Sequence, residues 1–196
     1  MKQERTRSAV FGAALDLQDF CEERGWKFCF IGGLAVERWS VPRFTEDADM
    51  TLVTGFVEHG DYCRALLGRF EGRRADALEF AIQNRVLLLR HENGVELDVG
   101  LGGMDFEVRA IERASWWVAR PGIRLLTCSA EDLVVHKAFA ARLQDWADVD
   151  RIIEVQDRQI NARQILDELT PLAELKEDSG IITKLEHLLR KRGLLR

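Results

Sequence analysis

The chain has 196 residues, a formal net charge of −5 at pH 7, 46% hydrophobic and 31% charged residues, enough for one sizeable core or a core with a small helical appendage. The acidic balance argues against a surface that grips long duplex DNA through counterion release, while leaving room for a local basic patch. No run approaches the roughly 18 apolar residues of a membrane span, and Met1-Lys2-Gln3-Glu4-Arg5 lacks the apolar stretch of a secretory signal, so no membrane partner and a cytoplasmic location are expected.

From Arg7 to Arg24 the residues Val10, Phe11, Ala14, Leu17, Phe20 and Cys21 recur at helical spacing, and Gly25 follows as a stop. Lys27 to Ile31 reads as a short apolar strand running into Gly32-Gly33, after which Leu34, Ala35, Arg38 and Trp39 suit a short helix that Pro42 ends. Asp47 to Val53 alternates as a strand, with Ala48, Met50 and Leu52 on one face and Asp47 and Asp49 on the other. Phe56 to Phe70 is helical in pattern, and Ala75 to Gln83 suits a further short helix. Arg85 to Arg90 and Val95 to Leu101 read as a hairpin around His91-Glu92-Asn93-Gly94, Asn-Gly being a strong turn signal, with Glu96 and Asp98 on the polar face of the second strand.

Trp116 to Ala119 and Arg124 to Thr127 are extended around Pro121-Gly122, and one of Trp116 and Trp117 must face away from a core that takes the other. Ser129 caps a helix through Glu131, Leu133, Val135, Lys137 and Ala138. Asp145 to Val155, Ala162 to Leu169 and Ile181 to Arg192 are further helices, with breaks at Asn161, Thr170-Pro171 and Ser179-Gly180. Cys21, Cys29, Cys63 and Cys128 lack the close spacing of zinc or redox sites and read as small core residues. The basic cluster Arg190-Lys191-Arg192 with Arg196 reads as a solvated helix end, a tRNA phosphate contact being the alternative.

The glycine pair Gly32-Gly33, the pair Asp47 and Asp49, and Asp98 would make one site if the fold brings them together. Carboxylates at i and i+2 of a strand point the same way and can hold a hard cation such as Mg2+ (or Mn2+) while leaving coordination positions for triphosphate oxygens. A third carboxylate can bridge a second metal and accept the proton of an attacking hydroxyl, in the two-metal arrangement for in-line displacement. Glycines between a strand and a helix let the backbone approach phosphate closely, where helix N–H groups favour anions.

Ile31-Gly32-Gly33-Leu34-Ala35 followed by Pro42-Arg43-Phe44-Thr45-Glu46-Asp47-Ala48-Asp49-Met50 resembles the signature of the polymerase-beta-like nucleotidyltransferase superfamily, and most of all the branch of the AbiEii nucleotidyltransferase toxins. The match runs over roughly residues 28 to 150, with Asp98 in Val95-Glu96-Leu97-Asp98-Val99 as the third carboxylate and a helix carrying Lys137 followed by Asp145 and Asp148. The departures are Ala48, where a larger aliphatic residue is common, and Gly33, where the strictest form has serine.

The resemblance implies an α/β (α+β) minimal nucleotidyltransferase fold: a short mixed sheet flanked by helices over residues 1–128, and a helical region over 129–196 that packs on it, with the active site between them. It implies an NTP as substrate, Asp47, Asp49 and Asp98 as metal-holding catalytic residues, and Gly32, Gly33, Arg43, Thr45, Lys137, Asp145 and Asp148 around the nucleotide. The acceptor would be a tRNA 3' end or a protein hydroxyl, with a cognate antitoxin as a further partner. Two other readings stay open: a small-molecule nucleotidyltransferase of the aminoglycoside-modifying kind, which an acidic cleft suits, and a degenerate fold kept as a binding module. Read alone, Asp47 and Asp49 also fit a turn and a solvated edge, Glu96 and Asp98 a hairpin's wet face, Lys137 a surface lysine, and Arg43 a local ion pair with Glu46 or Asp47.

Overall fold

Asp47–Val53 (β2) is the strand on which the sheet is organised, its apolar residues Ala48, Met50 and Leu52 fully buried and its aspartates half-buried on the opposite face. The computed structural model describes residues 2–43 and 45–195, with side chains from Ser8 onward, so Met1, Phe44 and Arg196 lie outside the described residues. Two compact units emerge: residues 1–34 with 44–128, and residues 35–43 with 129–196.

The first unit holds a seven-stranded mixed sheet in the order β3-β4-β5-β2-β1-β7-β6. Its strands are Phe28–Phe30 (β1), β2, Glu71–Gly72 (β3), Val86–Arg90 (β4), Glu96–Gly102 (β5), Ser115–Arg120 (β6) and Ile123–Thr127 (β7). β2 runs antiparallel to β1 and parallel to β5, and β5 pairs antiparallel with β4 through the expected hairpin. At that hairpin Gly94 has φ +89, and the Asn93 side-chain oxygen accepts from the Val95 N–H at 3.0 Å.

Helix Lys2–Glu22 (α1) lays Val10, Phe11, Ala14, Leu17 and Cys21 on the apolar face of the sheet, joined by Cys63 and Leu66 of His59–Leu67 (α3) and Ala81 of Ala77–Asn84 (α4). Trp117 packs on Phe11 with ring centroids 6.1 Å apart, while Trp116 is 42% exposed, which is the split the sequence required. All four cysteines are buried, and none forms a disulfide. On the other face, helix Asp105–Glu112 (α5) packs against β2 and β1, where Thr51 is buried.

Two elements escape the sequence pattern. α5 lacks an N-cap of the usual Ser, Thr, Asp or Asn type; Glu107 instead reaches back to accept from the Gly103 and Met104 N–H groups at 2.8 and 2.9 Å. β3 is two residues long and exists through its pairing with β4, which no local pattern announces.

In the second unit Ala130–Ala140 (α6) packs against Leu143–Gln156 (α7), Ala162–Leu175 (α8) and Gly180–Lys191 (α9). Ser129 caps α6 by accepting from the Asp132 N–H at 3.1 Å. Helix Gly32–Trp39 (α2) begins in the first unit, and its residues 35–39 belong to the second, where the Trp39 carbonyl accepts from Gln156 at 2.7 Å.

The expected break at Thr170-Pro171 does not occur, since Pro171 lies inside α8. Proline removes one helical N–H, but the buried stripe Ile165, Leu169, Leu172 and Ala173 runs through the position and holds the helix together. No described helix is long and apolar enough to cross a membrane.

Candidate active site

The carboxylate face of β2 and β5 follows from register. Parallel pairing sets Asp47 beside Glu96 and Asp49 beside Asp98. Because the strand period is two, all four acidic side chains share one face while Ala48, Leu97, Met50 and Val99 fill the core behind them. Each of the four keeps partial access to solvent, except that none is fully exposed.

Gly32 opens α2 with φ +55, a conformation that glycine adopts freely. A Cβ there would overlap the Asp49 carboxylate, and one on Gly33 would overlap the Thr45 side chain. The backbone and the acidic face thus approach more closely than any other residue type allows. The Thr45 hydroxyl, in the space a side chain at position 33 would need, donates to Asp47 Oδ1 at 2.6 Å, so the absent serine at 33 is matched by a hydroxyl arriving from 45.

Asp98 is pulled in two directions. Burial raises its pKa above the ordinary carboxylate range, the charges of Asp47 and Glu96 add to that rise, and the Arg73 guanidinium opposes it without cancelling it. Arg73 is the residue that sequence reasoning missed. It bridges Glu96 through Nη1 and Asp98 through Nη2, with its side chain only 15% exposed. Arg90 lies 3.7 Å from the other Glu96 oxygen. Nothing local marks Arg73, since its approach depends on β3, β4 and β5 being neighbours in the sheet.

Sequence reasoning grouped Arg43, Lys137, Asp145 and Asp148 with the nucleotide, and in the second unit the fold brings these four together. Lys137 Nζ lies 3.0 Å from Asp145 Oδ1 and 3.0 Å from Asp148 Oδ2. Arg43 grips Asp148 with two hydrogen bonds of 3.1 Å, and Arg142 Nε reaches Asp145 Oδ2 at 2.7 Å. All three residues of the inner triad are buried, Lys137 at 7% exposure, Asp145 at 1% and Asp148 at 5%. Burial alone would raise the Asp145 pKa, but hydrogen bonds from Arg142 and Lys137 outweigh it and hold the carboxyl below its ordinary value. Arg43 therefore pairs with Asp148 rather than with Glu46 or Asp47, and Lys137 is a buried ion-pair residue, not a surface lysine.

The donor set suits a hard divalent cation of the Mg2+ kind, which is commonly held by one or two protein carboxylates and completed by phosphate oxygens and water. Among the described residues no three His, Cys, Asp or Glu side chains converge as a ready-made metal cage. Asp47 and Asp49 could supply the protein's ligands to such a cation, and Asp98 is bonded to Arg73.

A mixed sheet thus carries paired strand aspartates, with a third carboxylate in register and a glycine junction against them. A family model described as nucleotidyl transferase AbiEii toxin, Type IV TA system, matches residues 17–191, and the chain belongs to this family of enzymes. No curated protein matches it in sequence. Among solved structures, the solution structure of the antibiotic-resistance factor ANT(2'')-Ia aligns at 14% identity over 87% of this chain and 94% of that one, with a TM-score of 0.57. The crystal structure of ANT(2'')-Ia in complex with adenylyl-2''-tobramycin aligns at 14% identity over 85% and 98%, TM-score 0.54. An antigenic nucleotidyltransferase-like protein from Paracoccidioides brasiliensis aligns at 16% identity over 93% and 92%, TM-score 0.48. The likeness to ANT(2'')-Ia shows a shared fold.

Proposed function

We propose that the chain transfers a nucleoside monophosphate from an NTP to a hydroxyl of a tRNA 3' end or of a protein, with Mg2+ or Mn2+ as the metal. The observation that carries this reading is the register that sets Asp98 beside Asp49, with Asp47 two residues earlier on the same face and Gly32 against the Asp49 carboxylate. When bound, the divalent cation supplies charge neutralisation for the triphosphate. Asp47 and Asp49 hold it, and the Thr45 hydroxyl fixes the Asp47 carboxylate. The backbone at Gly32 and Gly33 lies against the phosphates at the start of α2.

Asp98 accepts the proton of the acceptor hydroxyl, and the raised pKa that burial gives it makes it a stronger base than an exposed aspartate. The acceptor oxygen bonds to the α-phosphorus as the bond to the departing pyrophosphate breaks. Lys137, held by Asp145 and Asp148, provides a fixed positive charge for the nucleotide, and Arg43 and Arg142 hold those two aspartates. On this reading a cognate antitoxin restrains the activity in the cytoplasm.

One observation favours the small-molecule reading. A cavity of about 700 Å3 beside Asp47 is lined by Glu46, Glu96, Asn93 and Gly94, and its acidic wall suits a cationic acceptor such as an aminoglycoside.

The deciding experiment follows label from each α-labelled NTP, with Mg2+ or Mn2+, into bulk tRNA, total protein and an aminoglycoside panel, for the native chain and Asp47→Asn/Asp49→Asn. Label in tRNA or protein that the double variant fails to transfer supports the first reading, and label in the panel alone supports the second. Silence in every fraction, together with no NTP binding, sinks both and leaves a degenerate fold.

A further inference from the structure

A guanidinium is already seated on the carboxylate face of β2 and β5. Arg73 follows β3, where its backbone N–H donates to the Leu88 carbonyl at 3.0 Å and fixes it beside β4. From there its side chain crosses to β5 and takes one oxygen each from Glu96 and Asp98. The Arg73 Nε is buried without a hydrogen-bond partner among the described residues, so the two carboxylates are what the guanidinium is bonded to. Arginine stays charged at every accessible pH, so this positive charge cannot be removed by deprotonation. It leaves Asp98 only by moving.

A cation at Asp98 and the guanidinium of Arg73 compete for the same carboxylate lone pairs. We propose that Arg73 is the resident counter-cation of this site: it positions Asp98 beside Asp49 and competes with a divalent metal ion for it, so that loading at Asp98 requires the Arg73–Asp98 pair to open. The proposal rests on the reading above that the Asp47 and Asp49 face holds the metal. Asp47 and Asp49 accept the first ion with Arg73 in place, whereas any ion shared with Asp98 meets a like charge at contact distance. Arg73 is thus a positioning residue that sets how strongly metal binds before the nucleotide arrives.

Mn2+ titration without nucleotide, with free Mn2+ read by electron paramagnetic resonance, tests this on the full chain. Arg73→Gln is expected to bind Mn2+ on the order of tenfold more tightly, or to take up an additional ion, because a positive charge at a few ångströms has gone. Adding Asp98→Asn to Arg73→Gln should abolish the gain. If Arg73→Gln does not fold by circular dichroism, Arg73→Lys carries the same test, since lysine retains the charge but cannot span both carboxylates, and a smaller gain is expected. An isotherm unchanged in the Arg73 variant, with native binding that Asp47→Asn/Asp49→Asn destroys, overturns the role of Arg73 and leaves the metal reading standing. Identical isotherms for the native chain and Asp47→Asn/Asp49→Asn overturn the metal reading, and the role of Arg73 with it.

Discussion

Each of the two units contains an ionic cluster, and they are built on opposite plans. On the sheet, Asp47, Asp49, Glu96 and Asp98 crowd one half-exposed face, with Arg73 and Arg90 meeting its β5 side. In the helical unit, Asp145 and Asp148 are nearly inaccessible and accept hydrogen bonds from Lys137, Arg43 and Arg142. The first lies half open to solvent, where a cation can reach it. The second is a satisfied buried network, whose value lies in holding Lys137 in one geometry. The lesson is that carboxylates close in kind serve differently according to how far solvent can reach them.

The contrast can be broken from either side, and the largest effect is expected at the sheet. Asp47→Asn/Asp49→Asn should cut nucleotidyl transfer on the order of 1,000-fold or more while leaving the thermal midpoint close to that of the native chain. A large fall in midpoint would mean the pair is structural. Lys137→Met should do the reverse in stability, leaving two buried aspartates short of a partner at a cost of about 3 kcal/mol, read from urea midpoints. A variant as stable as the native chain would show that Arg43 and Arg142 suffice to neutralise the cluster.

Gly32→Ala comes next, with an expected loss of about 2 kcal/mol from the left-handed backbone and the overlap with Asp49, and a drop in transfer from the displaced carboxylate. Unchanged stability and activity would refute the close approach of the glycine junction to β2.

Acid sharpens the contrast most finely. The Asp145 pKa is depressed in the fold, so its stabilising contribution is present above the ordinary carboxylate range and is lost as pH falls through the lowered value. Asp145→Asn should therefore be less stable than the native chain at neutral pH, the gap closing on acidification. The Asp98 pKa is raised, so the sign is opposite: the folded state holds its proton more tightly, and stability rises as pH falls through the raised value. Asp98→Asn should be slightly more stable at neutral pH, that gap closing at a higher pH than the one for Asp145. Parallel pH profiles of urea midpoints for the two variants check both signs, and profiles that close at the same pH would contradict them.

Much of this was written in the chain order of residues. Alternation alone defined β2 from Asp47 to Val53 and placed its aspartates on one face, because a strand's period of two leaves no choice once Ala48, Met50 and Leu52 must be buried. Asn93-Gly94 announced the hairpin, Ser129 the start of α6, and the ordered set of glycines, aspartates and lysine the family. Pro171 misled because its local cost is outweighed by a buried stripe that local reading does not weigh. β3, α5 and the seat of Arg73 could not be read, since a two-residue strand, a cap supplied by Glu107 and an ion pair across three strands exist only through their neighbours. The sequence by itself determined which residues carry charge and which face of each element they occupy, through local periodicity. Tertiary structure alone decided strand order and register, and with them that Asp98 stands beside Asp49 and that Arg73 already stands on Asp98, because contacts between residues distant in sequence depend on how elements pack and not on any one element's pattern.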